Sequence, residues 1–244
     1  MLTPEQYIEE WEADSQLRAI AGLPPEWDER LCFDPSVVQD LPISPLDKQY
    51  LINVGLPKFL MPWDKLYFDL PPYTLPSLTE KFGCSPECQR YRLLGGKIMD
   101  CNEDEAELFI DEEPHYFRWY VCLDVEQNGR VVAASAEPGS DEPPWVDLYN
   151  SSLAQFAEVM LVLRHASVWL SQQVVEVDLA FKKAAKGEGN ALLYASEARM
   201  KEHGRVLYQR LLEIDSANPK SMWKIALIDL LQMFQISGQG EELW

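Results

Sequence analysis

Two groups of residues have side chains and spacings suited to a metal ion, and the first group suggests calcium. Asp100, Asn102 and Asp104 occupy the first three side-chain ligand positions of a calcium-binding loop. Glu105 stands where such a loop needs glycine for its sharp turn, and Asp111 stands where it needs a bidentate glutamate. Because both elements are missing, the pattern does not predict a calcium site.

The second group consists of Cys84, Cys88, Cys101 and His115, whose thiol and imidazole groups are of the type that binds Zn²⁺. Only Cys84 and Cys88 have a paired spacing typical of zinc ligands, and a free cysteine is commonly a small buried hydrophobe. A metal-dependent enzyme that uses this group remains an alternative. The sequence as a whole predicts no metal and no cofactor.

The usual catalytic motifs are missing from the sequence. There is no Gly-x-Ser-x-Gly, no His-Glu-x-x-His and no Gly-x-x-x-x-Gly-Lys-Ser/Thr. Of the three histidines, His115 is flanked by Glu112 and Glu113, which would favour its charged form. No spacing selects an acid–base pair among the many carboxylates. We therefore predict that the protein is not an enzyme.

The net charge restricts the partners that this protein can have. The 244 residues include 40 acidic and 21 basic side chains, for a formal net charge of −19. We expect neither nucleic acid nor a membrane as partner, because phosphates require a basic face and an anionic membrane surface would repel this chain. A basic protein would instead be attracted and steered towards it. Net charge also keeps proteins soluble, so an acidic surface without a partner is the alternative.

The negative charge is concentrated in one part of the chain. Between Asp100 and Asp147 there are fourteen acidic and two basic residues. Like charges at this density repel one another, which favours a partner-binding surface, with a solvated loop as the alternative. Aromatic residues in this region are candidate anchors, with a place in the core of a sheet as the alternative for each. The predicted partner-binding residues are Asp100, Glu103, Asp104, Glu105, Asp111, Glu112, Glu113, Tyr116, Trp119, Asp141, Glu142 and Trp145.

The N-terminal residues and the cysteines indicate the compartment. The chain does not start with a basic segment followed by an apolar one, so we expect no secretory signal. The five cysteines lack the regular spacing of a disulfide framework, which favours reduced thiols in a cytoplasm. The longest apolar stretch, Leu153 to Leu170, is interrupted by polar residues that include Arg164 and His165. This stretch predicts a buried helix and not a membrane span.

Capping residues, prolines and glycines mark the first elements. Residues 3–6 (TPEQ) predict a helix that starts with a capping box, and Gly22 ends it. Prolines follow at short intervals up to Pro86, which indicates short elements joined by rigid turns. Among them, residues 45–54 predict a short helix that Gly55 stops.

Aromatic and β-branched residues predict a sheet in the middle of the chain. Asn128-Gly129, between two such runs, is typical of a hairpin. We expect the first strand to end at the Gly95-Gly96 pair. The predicted strands are Tyr91–Leu94, Glu107–Ile110, Tyr116–Val125, Arg130–Ser135 and Trp145–Tyr149.

Helices are predicted for the rest of the chain. Ser152 and Gln155 fit a capping box at the start of a helix that no glycine or proline interrupts before Gly187. A second helix is predicted from about Ala191 to Ile214, and Asn218-Pro219 opens a third. Helix, then sheet, then helices is the order of an α+β fold.

Two segments of the chain resemble the SUKH superfamily of immunity proteins. Residues 50–60 (YLINVGLPKFL) contain the Gly-Leu-Pro of one subfamily, and residues 146–163 (VDLYNSSLAQFAEVMLVL) contain its strand–Asn-Ser-Ser–helix junction. The early helix with Trp11, the strand Tyr91–Leu94 and the Asn128-Gly129 hairpin follow in the order that the family would show. The resemblance covers roughly residues 5–170.

The resemblance implies a central, mostly antiparallel sheet flanked by helices. It implies a SUKH-like domain over residues 1–170, and we predict a helical C-terminal extension over residues 171–244 that packs on it as one compact unit. It also implies a cytoplasmic, non-enzymatic protein that binds and neutralises a cognate bacterial toxin, often a nuclease, with no catalytic set. Since a nuclease presents a basic groove to phosphates, an acidic inhibitor can occupy that groove. A regulatory or scaffold module of the same fold is the alternative.

Overall fold

The computed structural model of the protein describes residues 1–23, 25–60, 66–68, 74–98, 117–135, 137–184, 186 and 190–217. Its helices are α1 (Pro4–Ile20), α2 (Pro35–Val38), α3 (Pro45–Gln49), α4 (Leu78–Phe82), α5 (Leu153–Ala184) and α6 (Asn190–Ile214). A π-helical turn covers Tyr50–Val54, and 3₁₀ turns cover Pro25–Asp28, Pro86–Arg90 and Val125–Gln127. The strands are β1 (Arg30–Leu31), β2 (Leu56–Pro57), β3 (Phe59–Leu60), β4 (Leu66–Tyr67), β5 (Tyr91–Ile98), β6 (Phe117–Asp124), β7 (Arg130–Ser135) and β8 (Trp145–Asn150).

Within the described ranges, six strands form the main sheet in the order β3-β4-β5-β6-β7-β8, and every neighbouring pair is antiparallel. Strands that follow one another along the chain are therefore neighbours in the sheet. The connection from β4 to β5 contains α4 and a 3₁₀ turn, whereas a short turn joins β6 to β7. β1 and β2 pair separately, also antiparallel. The predicted α+β fold, with an antiparallel sheet packed against helices, is confirmed.

The first helix begins as its sequence predicted. The hydroxyl of Thr3 accepts the N–H of Gln6 at 3.3 Å, and the side chain of Gln6 accepts the N–H of Thr3 at 2.9 Å. This capping box satisfies two backbone donors that a helix end would otherwise leave unpaired. The inward face of α1 then buries the rings of Tyr7 and Trp11.

The hairpin between β6 and β7 is confirmed at Asn128-Gly129. Both residues have positive φ angles, 57° and 79°, a region that asparagine and glycine adopt more readily than other residues. The N–H of Gly129 donates to the carbonyl of Asp124 at 3.0 Å and closes the turn. The 3₁₀ turn before these residues makes the connection longer than a two-residue hairpin loop.

The predicted end of the first strand was wrong. β5 continues through Gly95 and Gly96 to Ile98, and both glycines pair with residues of β6. The pairing register shifts between Leu93 and Gly95. A glycine inside a strand often marks such an irregularity. The backbone pairing with β6 outweighs the low strand propensity of glycine, which is the only property that the local sequence shows.

The sheet separates two hydrophobic clusters because side chains alternate between its faces. On one face, Trp119, Val121, Leu123, Val131, Ala133 and Tyr149 share a cluster with buried residues of α1 and α5. On the other face, Leu93, Tyr120, Cys122, Val132 and Ala134 share a second cluster with Leu78 and Phe82 of α4 and with Cys84 and Cys88. The larger cluster therefore lies between the sheet and the long helix.

The helix predicted after Ser152 is confirmed and extends over 32 residues to Ala184. Its N-terminus is held by Asp47 of α3, which accepts the N–H of Ala154 at 2.9 Å and the hydroxyl of Ser44 at 2.7 Å. Burial raises the pKa of this carboxyl. Among the described helices, α5 included, none has the length and apolar character needed to cross a membrane.

The second predicted helix is also confirmed, as α6, and the residue after it binds the junction between β8 and α5. Asp215 accepts the N–H of Ser151 at 2.6 Å, the hydroxyl of Ser151 at 3.0 Å and the side-chain amide of Asn150 at 3.4 Å. The Asn-Ser-Ser segment thus connects the sheet to the end of α6. The division predicted at residue 170 falls inside α5 and stays a prediction. The predicted strand Glu107–Ile110 and the third helix lie outside the described residues.

Candidate partner-binding site

The loop between β7 and β8 carries the acidic residues of the predicted surface that the structure describes. It is held against the segment that follows α4, because Gly139 donates its N–H to the carbonyl of Phe82 at 3.0 Å and Ser85 donates to the carbonyl of Ser140 at 2.8 Å. Asp141 and Glu142 follow, and both are exposed. Backbone hydrogen bonds therefore place two carboxylates in solvent immediately before β8.

Trp145, the first residue of β8, is the exposed aromatic residue of this region. β8 ends the strand order of the sheet, so its outer edge pairs with no other strand among the described residues. The side chain of Trp145 is 50% exposed, whereas Tyr149, on the same face of the same strand, is 1% exposed. The residue opposite Trp145 on β7 is Ser135, which is small and itself exposed. Half of a large indole is thus accessible from solvent.

Asp147 lies between these two aromatic residues on the same face of β8, since side chains two positions apart on a strand point the same way. Its Oδ1 accepts the N–H of Leu148 at 2.8 Å. This bond occupies the backbone N–H of Leu148 within its own strand, and a charged side chain on an edge strand is itself a recognised protection of sheet edges. This third carboxylate was not among the predicted site residues, although its place two residues after Trp145 in a predicted strand was a usable signal.

Trp119 is a core residue of the sheet, which was the alternative to a partner-binding role. It lies on β6, between β5 and β7, and is 7% exposed. Its indole N–H donates to the hydroxyl of Tyr149 at 2.8 Å. A buried side chain with a satisfied polar group belongs to the core, so Trp119 is not offered to a partner. The remaining predicted residues, Asp100, Glu103, Asp104, Glu105, Asp111, Glu112, Glu113 and Tyr116, lie outside the described residues.

The described cysteines of the candidate zinc group are part of the hydrophobic core. Cys84 and Cys88 are buried in the cluster under α4, together with Cys122 of β6. Burial, with the thiol of Cys84 beside it, raises the pKa of Cys88 to about 12, and burial raises the pKa of Cys122 as well. In the part of the chain that the structure describes, no three histidine, cysteine or acidic residues are placed to hold a metal ion. Cys101 and His115 lie outside that part.

We expect an alkylating reagent at mildly alkaline pH to modify Cys32 well before Cys88 and Cys122 in the folded protein. Cys32 is exposed, whereas the other two thiols are buried and stay protonated, and only the thiolate reacts. Timed labelling with iodoacetamide followed by peptide mass mapping measures the three rates. In urea the three should react alike, and equal rates in the folded protein would contradict this placement.

A buried group of charged residues joins α1 to α5, and the sequence did not predict it. Arg164 of α5 donates to the carboxylates of Asp14 and Asp28, and Arg18 donates to Asp28 at 3.0 Å. The guanidinium of Arg164 also lies 3.6 Å from the centre of the Trp11 ring. The only sign in the sequence is that Arg164 interrupts an apolar stretch. Its charges compensate one another, so the group does not present a charged surface, and removing one partner would leave a buried charge unpaired.

A cleft of about 540 Å³ opens beside this group, between α1 and β1. Its walls are formed by Trp11, Glu12, Ser15, Gln16, Asp28, Arg30 and Cys32. Asp28 is already paired with two arginines, and Arg30 donates to the carbonyl of Val54 at 2.7 Å. Asp28 and Arg30, two charged residues of opposite sign in the wall, thus already have partners in the fold, and the cleft selects no class of ligand.

The other two histidines have structural contacts. His165 Nε2 lies 3.6 Å from Asp14 Oδ1, at the edge of the buried charged group. The ring of His203 on α6 packs on the ring of Trp169 on α5, with centroids 4.1 Å apart. Neither geometry assembles a nucleophile with a base, so the accessible residues around Trp145 are the candidate functional site.

Comparisons with protein-family models, with curated proteins and with solved structures find no match for this chain.

Proposed function

We propose that this chain is a non-enzymatic binding protein that neutralises a basic protein toxin, in the manner of the SUKH immunity proteins that parts of its sequence resemble. The observation that carries the proposal is the half-exposed indole of Trp145 at an edge of the sheet, at the end of a loop that also exposes the carboxylates of Asp141 and Glu142. Burying an aromatic side chain against a partner removes a large apolar surface from water. The surrounding charge restricts that partner to a basic surface.

Charge and aromatic surface supply different parts of such an interaction. The net charge of −19 would steer a basic partner towards the protein, and steering of this kind raises association to about 10⁸–10⁹ M⁻¹s⁻¹ at low salt. Retention depends on anchors that lose water on binding, and tryptophan is enriched among residues that cost 2 kcal/mol or more when truncated. In this proposal, Asp141 and Glu142 speed the association of the toxin, and Trp145 slows its dissociation.

The test of the function is a growth assay with the protein encoded by the neighbouring gene, produced in a host with and without this chain. We expect that protein to stop growth when it is produced alone and this chain to restore growth by forming a stable complex with it. A neighbour that is harmless, or that this chain does not bind, would contradict the proposal and favour the regulatory or scaffold alternative. Purified chain with a full equivalent of zinc would instead support the metal-dependent alternative.

The contact surface is tested by reversing its charge. The double substitution Asp141→Lys and Glu142→Lys should slow association with the toxin by about tenfold at low ionic strength and flatten its salt dependence, because attraction at the contact is lost. The matched control is Glu9→Lys with Glu10→Lys, which makes the same change in net charge on exposed residues of α1. Stopped-flow kinetics at several salt concentrations measure both. Equal slowing by the two pairs would show that only total charge matters and that this loop is not the contact.

A further inference from the structure

We propose that Trp145 and Asp147 together form a recognition site for an arginine side chain, with the guanidinium stacked on the indole and bound to the carboxylate. The site rests on the proposed function, because it names the chemical group through which a basic partner is recognised. It adds Asp147 to the surface and predicts that arginine is preferred over lysine.

The geometry of β8 brings the two side chains together. Trp145 and Asp147 are two residues apart on the same face of the strand, about 7 Å apart along it. Ser135 stands opposite Trp145 and is too small to cover the ring from the side of β7. One oxygen of Asp147 accepts the N–H of Leu148, which fixes the carboxylate. Its second oxygen accepts from no other residue of the described ranges.

The same combination of groups already binds an arginine inside this protein. At the buried site, the guanidinium of Arg164 lies 3.6 Å from the centre of the Trp11 ring and donates to Asp14 and Asp28. An indole with adjacent carboxylates, together with the hydroxyl of Ser15, thus contacts a guanidinium in this fold. At Trp145 the indole is half exposed and Asp147 is partly exposed, and the cation would come from the partner.

The chemistry of the arginine and lysine side chains indicates which of the two the site binds more tightly. A guanidinium is planar, weakly hydrated and able to stack on an aromatic face while it donates to a carboxylate. The ammonium of lysine is a strongly hydrated point charge, so it loses more hydration free energy when it leaves water. Asp141 and Glu142, just before Trp145, oppose an acidic ligand, and the occupied N–H of Leu148 opposes the addition of a strand. The occupant is thus an arginine side chain of a basic segment.

The site is tested with two capped peptides of equal length, one with four arginines and one with four lysines. Their binding is followed by NMR through the indole N–H signal of Trp145, which is assigned from the spectrum of Trp145→Phe. We expect this signal to shift with both peptides and the arginine peptide to bind about threefold to fivefold more tightly, a difference in binding free energy as large as one exposed cation–π contact contributes. In Trp145→Leu, which lacks this indole signal, binding of both peptides is measured by isothermal titration calorimetry, and the preference for arginine should be lost.

Asp147→Asn tests the negative charge of Asp147 separately from its hydrogen bond at the sheet edge, because asparagine still accepts the N–H of Leu148. It should weaken binding of the arginine peptide several-fold more than Glu9→Gln does. Glu9→Gln removes one negative charge in the same way, at an exposed position on α1. Equal binding of the two peptides, or shifts that leave the Trp145 signal unchanged, would overturn the site. If the site fails while this chain still protects cells, the immunity function stands with another mode of recognition. If peptides bind as expected but no toxin is neutralised, the function is wrong and the arginine site stands.

Discussion

Replacing Arg164 with leucine is expected to lower the free energy of unfolding by about 3–5 kcal/mol, the usual cost of removing one partner of a buried ion pair. Asp14, which is 1% exposed, would lose the arginine that compensates its charge. Asp28 would keep only Arg18, and Trp11 would lose the guanidinium stacked on its ring. Urea denaturation followed by circular dichroism measures the change.

The matched control is Arg199→Leu, which removes an arginine of α6 paired with Glu176 of α5 at 3.2 Å. Both of these side chains are more than half exposed, and an exposed pair contributes at most about 1 kcal/mol. Similar losses for Arg164→Leu and Arg199→Leu would show that burial of the charged group has no special role. Combining Arg164→Leu with Asp14→Leu should recover stability relative to Arg164→Leu alone, because no unpaired charge is then left at that position.

Replacing Gly55 with alanine is expected to destabilise the protein by at least about 3 kcal/mol, as strain and a steric clash act together. Gly55 has φ 75° and ψ 176°, a region that is essentially restricted to glycine. A Cβ at this position would lie 2.6 Å from the carbonyl oxygen of Leu31, a backbone atom that cannot rotate away. The glycine of the Gly-Leu-Pro segment is therefore required where the chain enters β2 and pairs with β1.

Gly22→Ala is the control for the positive φ angle alone. Gly22 has φ 74°, but a Cβ there would meet no atom within 4 Å. Its substitution should cost only the roughly 1–2 kcal/mol of a left-handed backbone conformation. The two variants are compared by the same urea denaturation. Equal losses would show that the close approach to Leu31 adds nothing, and that relaxation of β1 absorbs the clash.

The elements that the sequence predicted well are those whose determinants lie within a few residues. The capping box of Thr3 and Gln6 and the turn at Asn128-Gly129 depend on neighbours along the chain, and both are confirmed. The strand through Gly95 and Gly96 was predicted to be too short, because its extension depends on pairing with β6, which local sequence does not show.

The candidate site illustrates the same limit. Trp119 and Trp145 lie in similar aromatic runs, and the sequence suggested both as anchors with a core position as the alternative. The structure separates them because Trp119 lies on an inner strand in the core cluster, whereas Trp145 is the first residue of the edge strand and lies opposite the exposed Ser135. Asp147, which completes the proposed arginine site, is significant only once its face of β8 is known.

The α+β order, the acidic balance and the main helices could be predicted from the sequence alone, since they follow from composition and from patterns with periods of two to four residues. The contacts between distant polar groups become known only from the folded structure. Arg164 and Asp14 are 150 residues apart, Asp47 and Ala154 are 107 apart, and Asp215 and Ser151 are 64 apart. Such pairs form because packing of the apolar faces brings their elements together, and no short segment of sequence contains both partners.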